Sequence, residues 1–225
     1  MSRSDLQKIQ LFSRISQETS VILETALRRK SFPKGSAILW EKDPCRCVYF
    51  LISGEVEVYL LAPNGREQVL EKMGAGEAFN LVSAFKHTPN NHANVRAATQ
   101  VELFEMNKDD FADLLERLPE FSLAVADYMA RRLAKMVNLV EDLSLLSVRQ
   151  RIASFLIKQA DTPSGRWTQE EMARRLGTVR DMVGRILRQF EDEGFIRFEH
   201  HQILLVDRET MQKIAIGKNE TKVVD

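Results

Sequence analysis

Cysteine is nearly absent. Two in 225 residues cannot staple a chain of this size, so its stability must come from buried apolar surface rather than disulfides. Net charge is absent too: 32 Lys and Arg balance 32 Asp and Glu. The molecule as a whole therefore has no long-range pull toward nucleic acid, membrane or acidic ligands, and any basic site must be local. Long apolar runs are also missing. The richest stretch, VYFLISGEVEVYLL, is broken by Gly54, Glu55 and Glu57, short of the roughly 18 to 20 apolar residues of a membrane span. The N-terminal MSRSDLQKIQLFSRIS has no apolar core of the signal-peptide kind. These absences predict a reduced, cytoplasmic protein without membrane insertion. What is present is ordinary for a globular chain, 44% hydrophobic and 28% charged, with length for two domains.

From about residue 30 to 107 the apolar pattern has period two and is punctuated by turn residues, Pro33 to Gly35, Ser53-Gly54, Pro63 to Gly65, Gly74 and Gly76. This predicts many short strands. In EVEVYLL, Val56, Val58 and Leu60 share the face expected to be buried, and Glu55, Glu57 and Tyr59 the face expected to be wet. Short helices are expected over 4–11 and 17–29.

After Met106 the period lengthens. Phe111, Leu114, Leu115 and Leu118 recur at helical spacing, and Pro119 can occupy the first turn of a new helix reaching about Leu143. Within it Ala126, Met129, Leu133, Met136, Val140 and Leu143 alternate steps of three and four, the seam of a two-stranded coiled coil. Leu123, Val125 and Tyr128 form a second apolar set able to pack on the helix's own domain. The domain reading is a sensor with flanking helices over 1–118, a dimerisation helix over 119–143 and a third region over 144–225.

That last region changes pattern again. An amphipathic helix is expected over 147–159 (Val148, Ile152, Phe155, Leu156), with ADTPSG as a loop. Thr168 and Glu171 stand in the capping-box relation, which starts a helix at Gln169. Gly177 ends it, Thr178 offers the next cap, and a further helix runs to about Asp192. Two short helices joined by a tight Gly-containing turn make a helix-turn-helix. In the second, Val183, Ile186, Leu187 and Phe190 form the buried stripe, and Arg180, Asp181, Gly184, Arg185 and Arg188 the opposite face. Between Ala173 and Gln189 stand five arginines and one acid, the local basic patch that a neutral chain requires if it binds nucleic acid. A helix fits the major groove, where Arg reads guanine edges and a carboxylate accepts from cytosine. The expected contact set is Thr168, Gln169, Thr178, Arg180, Asp181, Arg185 and Arg188, with Arg188 placed on phosphate. FIRFEHHQILLV reads as a two-stranded wing with Glu199 to His201 at its turn. His200 and His201 are expected to be polar turn residues rather than metal ligands. No constellation of nucleophile and base, and no metal site, points to catalysis.

In this order of parts the chain resembles the CRP/FNR superfamily of bacterial transcription regulators, carried most specifically by GTVRDMVGRIL at 177–187 and by Ala130-Arg131-Arg132-Leu133. The resemblance implies an α+β architecture: a double-stranded β-roll of jelly-roll type, a long dimer helix, and a winged helix-turn-helix. It also implies a homodimer on near-palindromic duplex DNA and contact with RNA polymerase. Asp181 stands where the family usually has Glu. The effector pocket that the resemblance marks out comprises Gly76, Glu77, Asn80, Leu81, Asn91, His92, Ala93, Met136 and Val137. Asn80-Leu81 and Asn91-His92 replace the Gly-Glu and Arg-Ser/Thr pairs of cyclic AMP binders, and Met136-Val137 replace the polar pair that reaches adenine. A buried cyclic phosphate without an arginine is costly, so cyclic AMP is disfavoured as effector. Two thiols are too few for a four-thiolate iron-sulfur cluster. Cys45 and Cys47 are expected to be incidental small residues rather than a redox pair. Haem stays open as an alternative effector, with His87 or His92 as ligand, though their polar loop favours solvated histidines. The competing function is a sensor module regulating an enzyme or channel, against which the winged helix counts.

Overall fold

A computed structural model describes residues 3–13, 15–85, 89–161, 167–199 and 202–217. His87, His200, His201 and most of the ADTPSG loop lie outside them. The chain clusters into two compact units, Met1–Met136 and Val137–Asp225.

The first unit opens with α1 (Arg3–Gln7), a short 3-10 turn and α2 (Gln17–Ala26). Ser16 caps α2 by accepting from the Thr19 amide. The strands follow: β1 (Leu27–Phe32), β2 (Ala37–Leu39), β3 (Cys47–Ser53), β4 (Val56–Leu61), β5 (Glu67–Met73), β6 (Ala78–Phe79), β7 (Asn94–Ala97) and β8 (Val101–Asn107). The helix expected over 17–29 stops at Ala26 because Leu27 to Phe32 pair antiparallel with Val101 to Met106; strand pairing at the sheet edge outweighs local helical preference there. One sheet has the order β1-β8-β3-β6 and the other β2-β7-β4-β5. Leu39, Leu51, Val56, Val58, Val95 and Leu103 from the two sheets share one core. Val48, Phe50, Ile52, Phe104 and Met106 point the other way, into a second core with Leu6, Leu23, Phe111, Phe121 and Tyr128. β3 and β8 are thus buried on both faces, which is why VYFLI is continuously apolar instead of alternating.

β4 departs from the expected wet face. Glu57 and Tyr59 are buried along with Val56 and Val58. Arg96, on the neighbouring β7, lies 4.5 Å from the Tyr59 ring centroid. It donates to Glu57 at 2.8 and 3.0 Å and also to Glu67, while Lys72 reaches Glu57 at 3.3 Å. As a central strand, β4 has its polar side chains covered by cross-strand ion pairs rather than by water.

After β8 come α3 (Lys108–Arg117), capped by Asn107, and α4 (Pro119–Leu145). Phe121, Val125 and Tyr128 are the buried side of α4. Leu123, expected to join them, is instead 73% exposed: steps of four and three from Phe121 reach Val125 and Tyr128, and Leu123 is off that stripe.

The second unit contains the end of α4, then α5 (Val148–Asp161), α6 (Gln169–Leu176), α7 (Arg180–Asp192), β9 (Ile196–Glu199), β10 (Gln202–Leu205) and α8 (Arg208–Ile216). Its core joins Ile152, Phe155 and Leu156 of α5 with Met172, Val183, Leu187, Phe190 and Met211. α8, unanticipated from the apolar pattern, is capped by Asp207 accepting from the Thr210 amide and lies against α5. Arg151 of α5 donates to the carbonyls of Leu143 and Leu146 at 3.3 and 2.8 Å, placing a cation at the C-terminal end of α4, where the helix dipole favours it.

Candidate nucleic-acid interface

Local chemistry builds the α6-α7 pair. Thr168 Oγ1 accepts from the Glu171 amide at 3.1 Å and the Glu171 carboxylate accepts from the Thr168 amide at 2.8 Å, a complete capping box. Gly177 turns the chain out of α6 in the left-handed conformation, φ 64°, as a residue without a Cβ does most easily. The following cap differs from the expected one: α7 is preceded by Val179, and Thr178 is buried in the turn with its amide on the Ala173 carbonyl.

On α7, Val183, Ile186, Leu187 and Phe190 are buried, while Arg180, Asp181, Arg185 and Arg188 are exposed on the other side. Gly184, read as an exposed position, is buried: a Cβ there would stand 2.9 Å from Gln169 Oε1. Gly184 is therefore where α6 and α7 approach closely, and it places Gln169 beside the middle of α7. Thr168 and Gln169 themselves are exposed. Arg175 stacks over Trp167 and Phe155, 5.4 and 5.9 Å from their ring centroids. Sequence reasoning missed Val179, 50% exposed at the head of α7. Its signal was an apolar residue at the position where a helix normally carries a capping oxygen. In the wing, Arg197 and Gln202 are exposed, Gln202 opposite Glu199 and Arg197 opposite Leu204.

In the sensor, Gly76 has φ 89°, and a Cβ there would meet the Lys8 carbonyl at 2.7 Å, so its role is a tight turn under the N-terminal segment. Asn80 also has positive φ, 66°. Its amide donates to Asn91 Oδ1 at 3.0 Å, the Cys47 carbonyl at 2.9 Å and Cys45 Sγ at 3.4 Å. Asn91 is buried and donates in turn to the Trp40 carbonyl. His92 Nδ1 lies 2.8 Å from the hydroxyl of the buried Ser83. Leu81 is buried and Ala93 half-buried, as is Met136, whereas Val137 is exposed. The Asn80 and Asn91 amides thus bind one another and the backbone. Burial pushes both thiols, Cys45 and Cys47, above the usual cysteine range, keeping them protonated and weakly nucleophilic.

The same turn is tied to α4 by groups the sequence did not single out. The Tyr128 hydroxyl accepts from the Ala78 amide and donates to the Ala78 carbonyl, at 2.7 and 2.9 Å. Arg132 donates to the same carbonyl at 2.8 Å and to Glu71 at 2.7 Å. Lys135 pairs with Glu71 and Glu77. Among the described residues no group of three or more His, Cys, Asp or Glu is placed to hold a metal ion, and no helix is long and apolar enough to cross a membrane.

A two-sheet sensor, a long helix and a winged helix-turn-helix define a class: one-component regulators that couple a cyclic-nucleotide-binding-type domain to DNA. Residues 29–118 match the family model for the cyclic nucleotide-binding domain and 150–214 the model for the Crp-like helix-turn-helix domain. The chain is 30% identical over 220 residues to the CRP-like cAMP-activated global transcriptional regulator of Mycobacterium tuberculosis, covering 93% of this chain and 98% of that one. It belongs to the CRP/FNR family of transcription regulators. Solved structures share the fold. The c-di-GMP responsive global regulator CLP of Xanthomonas campestris has a TM-score of 0.75 at 24% identity, with 84% of this chain and 99% of that one covered. A CRP/FNR family regulator from Thermus thermophilus has 0.68 at 23%, with 85% and 100% covered.

Proposed function

We propose that this regulator acts in the cytoplasm as a homodimer, binds a near-palindromic duplex through α7, and works with RNA polymerase without catalysing a reaction itself. The observation that carries the reading is the exposed face of α7, where Arg180, Asp181, Arg185 and Arg188 stand opposite a fully buried apolar stripe. A rigid helix with that face fits the major groove, Arg180 and Arg185 on base edges and Arg188 on the backbone. Thr168 and Gln169, exposed at the start of α6, belong to the proposed DNA contacts; Thr178, expected as a further contact, is buried in the turn between the helices and supports that turn instead. Retention on duplex DNA tests this. Affinity should fall steeply between about 50 and 200 mM salt, on the order of 10³-fold for about six phosphate contacts; a chain that ignores duplex DNA at low salt refutes it.

The dimer reading rests on α4. Leu133, Val137 and Val140 are 66, 56 and 62% exposed among the described residues, an apolar stripe stepping by four and three. Met136 and Leu143 flank it half-buried, and Met129 packs partly against the sensor core. Two such stripes packed together would bury the surface each leaves open.

The effector is proposed to be something other than cyclic AMP, or none. The Mycobacterium tuberculosis relative is cAMP-activated by name. In this chain, however, the positions that would receive a cyclic phosphate are Asn80 and Asn91, whose amides are already bonded to each other, to Cys45 and to backbone carbonyls. Seating a phosphate there would break these bonds and bury a charge without a guanidinium. Calorimetry with millimolar cyclic AMP is expected to show no saturable heat; micromolar affinity or stimulated DNA binding would overturn the proposal.

A further inference from the structure

Among the described residues, five α-helices begin with a side-chain cap: Ser16 for α2, Asn107 for α3, Ser147 for α5, Thr168 for α6 and Asp207 for α8. The recognition helix does not. Its N-cap residue is Val179, extended at φ −110° and ψ 152°, with no side-chain hydrogen bond. Valine is among the poorest N-caps, because it offers no acceptor to the first-turn amides. Nor does burial compensate: half of the residue faces solvent, beside Arg180 and Asp181, which are also exposed. A residue that weakens its own helix and covers no core is the kind of local departure found where a site has a use for it.

We infer that Val179 is a specificity-determining residue that packs its methyl groups against the 5-methyl of a thymine in the major groove. The inference rests on the proposed DNA-reading role of α7 and names one feature of the sequence it reads. Thymine is the base that presents an apolar group in that groove, and small apolar side chains are its natural contacts. Arg180 and Arg185, further along the same exposed face, would fix the helix on guanine edges, so that the thymine lies at the flank of the half-site read by the head of α7. A hydroxyl at position 179 would cap the helix and favour a phosphate or a polar edge instead.

Deoxyuridine differs from thymidine only by the missing methyl, which allows a direct test with the full-length protein. Duplexes that the wild type selects from a random pool are resynthesised with each thymine in turn replaced by deoxyuridine. The affinities of wild type, V179A and V179S are then measured on every duplex. Wild type should lose about fourfold per half-site at one thymine, the value of one methyl group withdrawn from apolar contact. V179A should bind the parent duplex about fourfold per half-site more weakly and show no further loss at that thymine. V179S should likewise ignore the methyl yet melt at a higher temperature than wild type, because the helix regains a cap. Because position 179 is half-exposed, neither variant should unfold, which circular dichroism checks. The inference is overturned if no deoxyuridine weakens the wild type, or if V179A and V179S lose as much as the wild type at the same thymine. A wild type that selects no duplex at all would overturn the DNA-reading function and this contact with it. Selected duplexes without a methyl effect would overturn this contact alone.

Discussion

Arg185→Ala should weaken binding to the cognate palindrome by about 1 to 3 kcal/mol per half-site while leaving binding to scrambled duplex nearly unchanged. Arg185 is exposed on α7 between the buried Val183 and the buried pair Ile186 and Leu187. The helix that carries it is held in the second unit's core and against α6 at Gly184, so the guanidinium is presented from a rigid base. Losing it should remove the proposed bond to a base edge without disturbing the fold, which circular dichroism should confirm. Arg188→Ala serves as the contrast. One turn further along, it should lower cognate and scrambled affinities alike and flatten the salt slope by about one unit per half-site. Asp181→Ala should mainly relax preference at a single base pair. Affinities on both duplexes at two salt concentrations check all three assignments. Equal losses on cognate and scrambled DNA for Arg185→Ala would mean that this arginine does not read bases, and that α7 lies differently in the groove.

The second large effect concerns assembly. Leu133→Asp should dissociate the dimer, raising its dissociation constant by more than about a hundredfold, since two like charges would meet in an apolar seam at a cost of roughly 3 kcal/mol or more. Val140→Asp should do the same from the next turns of the stripe. Both side chains are largely exposed within the single chain, so the monomer should keep its stability to within about 0.5 kcal/mol. Met136→Asp is a poorer probe, because that side chain is half-buried and its replacement mixes folding with assembly. Light scattering and sedimentation report the mass. An unchanged dimer in both Leu133→Asp and Val140→Asp would mean that the exposed stripe is not the interface. DNA affinity should fall with dissociation, because a single half-site loses the effective concentration its partner supplies.

Periodicity and short-range chemistry make much of this protein legible in its sequence. The capping pair Thr168 and Glu171, the stop at Gly177 and the buried stripe Val183, Ile186, Leu187 and Phe190 all depend on residues within two turns of one another, so spacing alone determined the helix-turn-helix and its outward arginines. The many-stranded class of the sensor followed equally from alternation and turn residues. Tertiary structure decided what depends on neighbours distant in sequence. Glu57 and Tyr59 are buried because Arg96 and Lys72 come from adjacent strands. Leu27 to Phe32 is strand because Val101 to Met106 pairs with it, and Gly184 is covered because Gln169 crosses it. Asn80 and Asn91 close on each other from separate points along the chain, which no local pattern encodes. The exposure of Val179 and Val137 was equally invisible, since an apolar letter in a sequence signals a tendency to be buried. Whether it is satisfied within the chain or left for a partner is determined only by what packs around it.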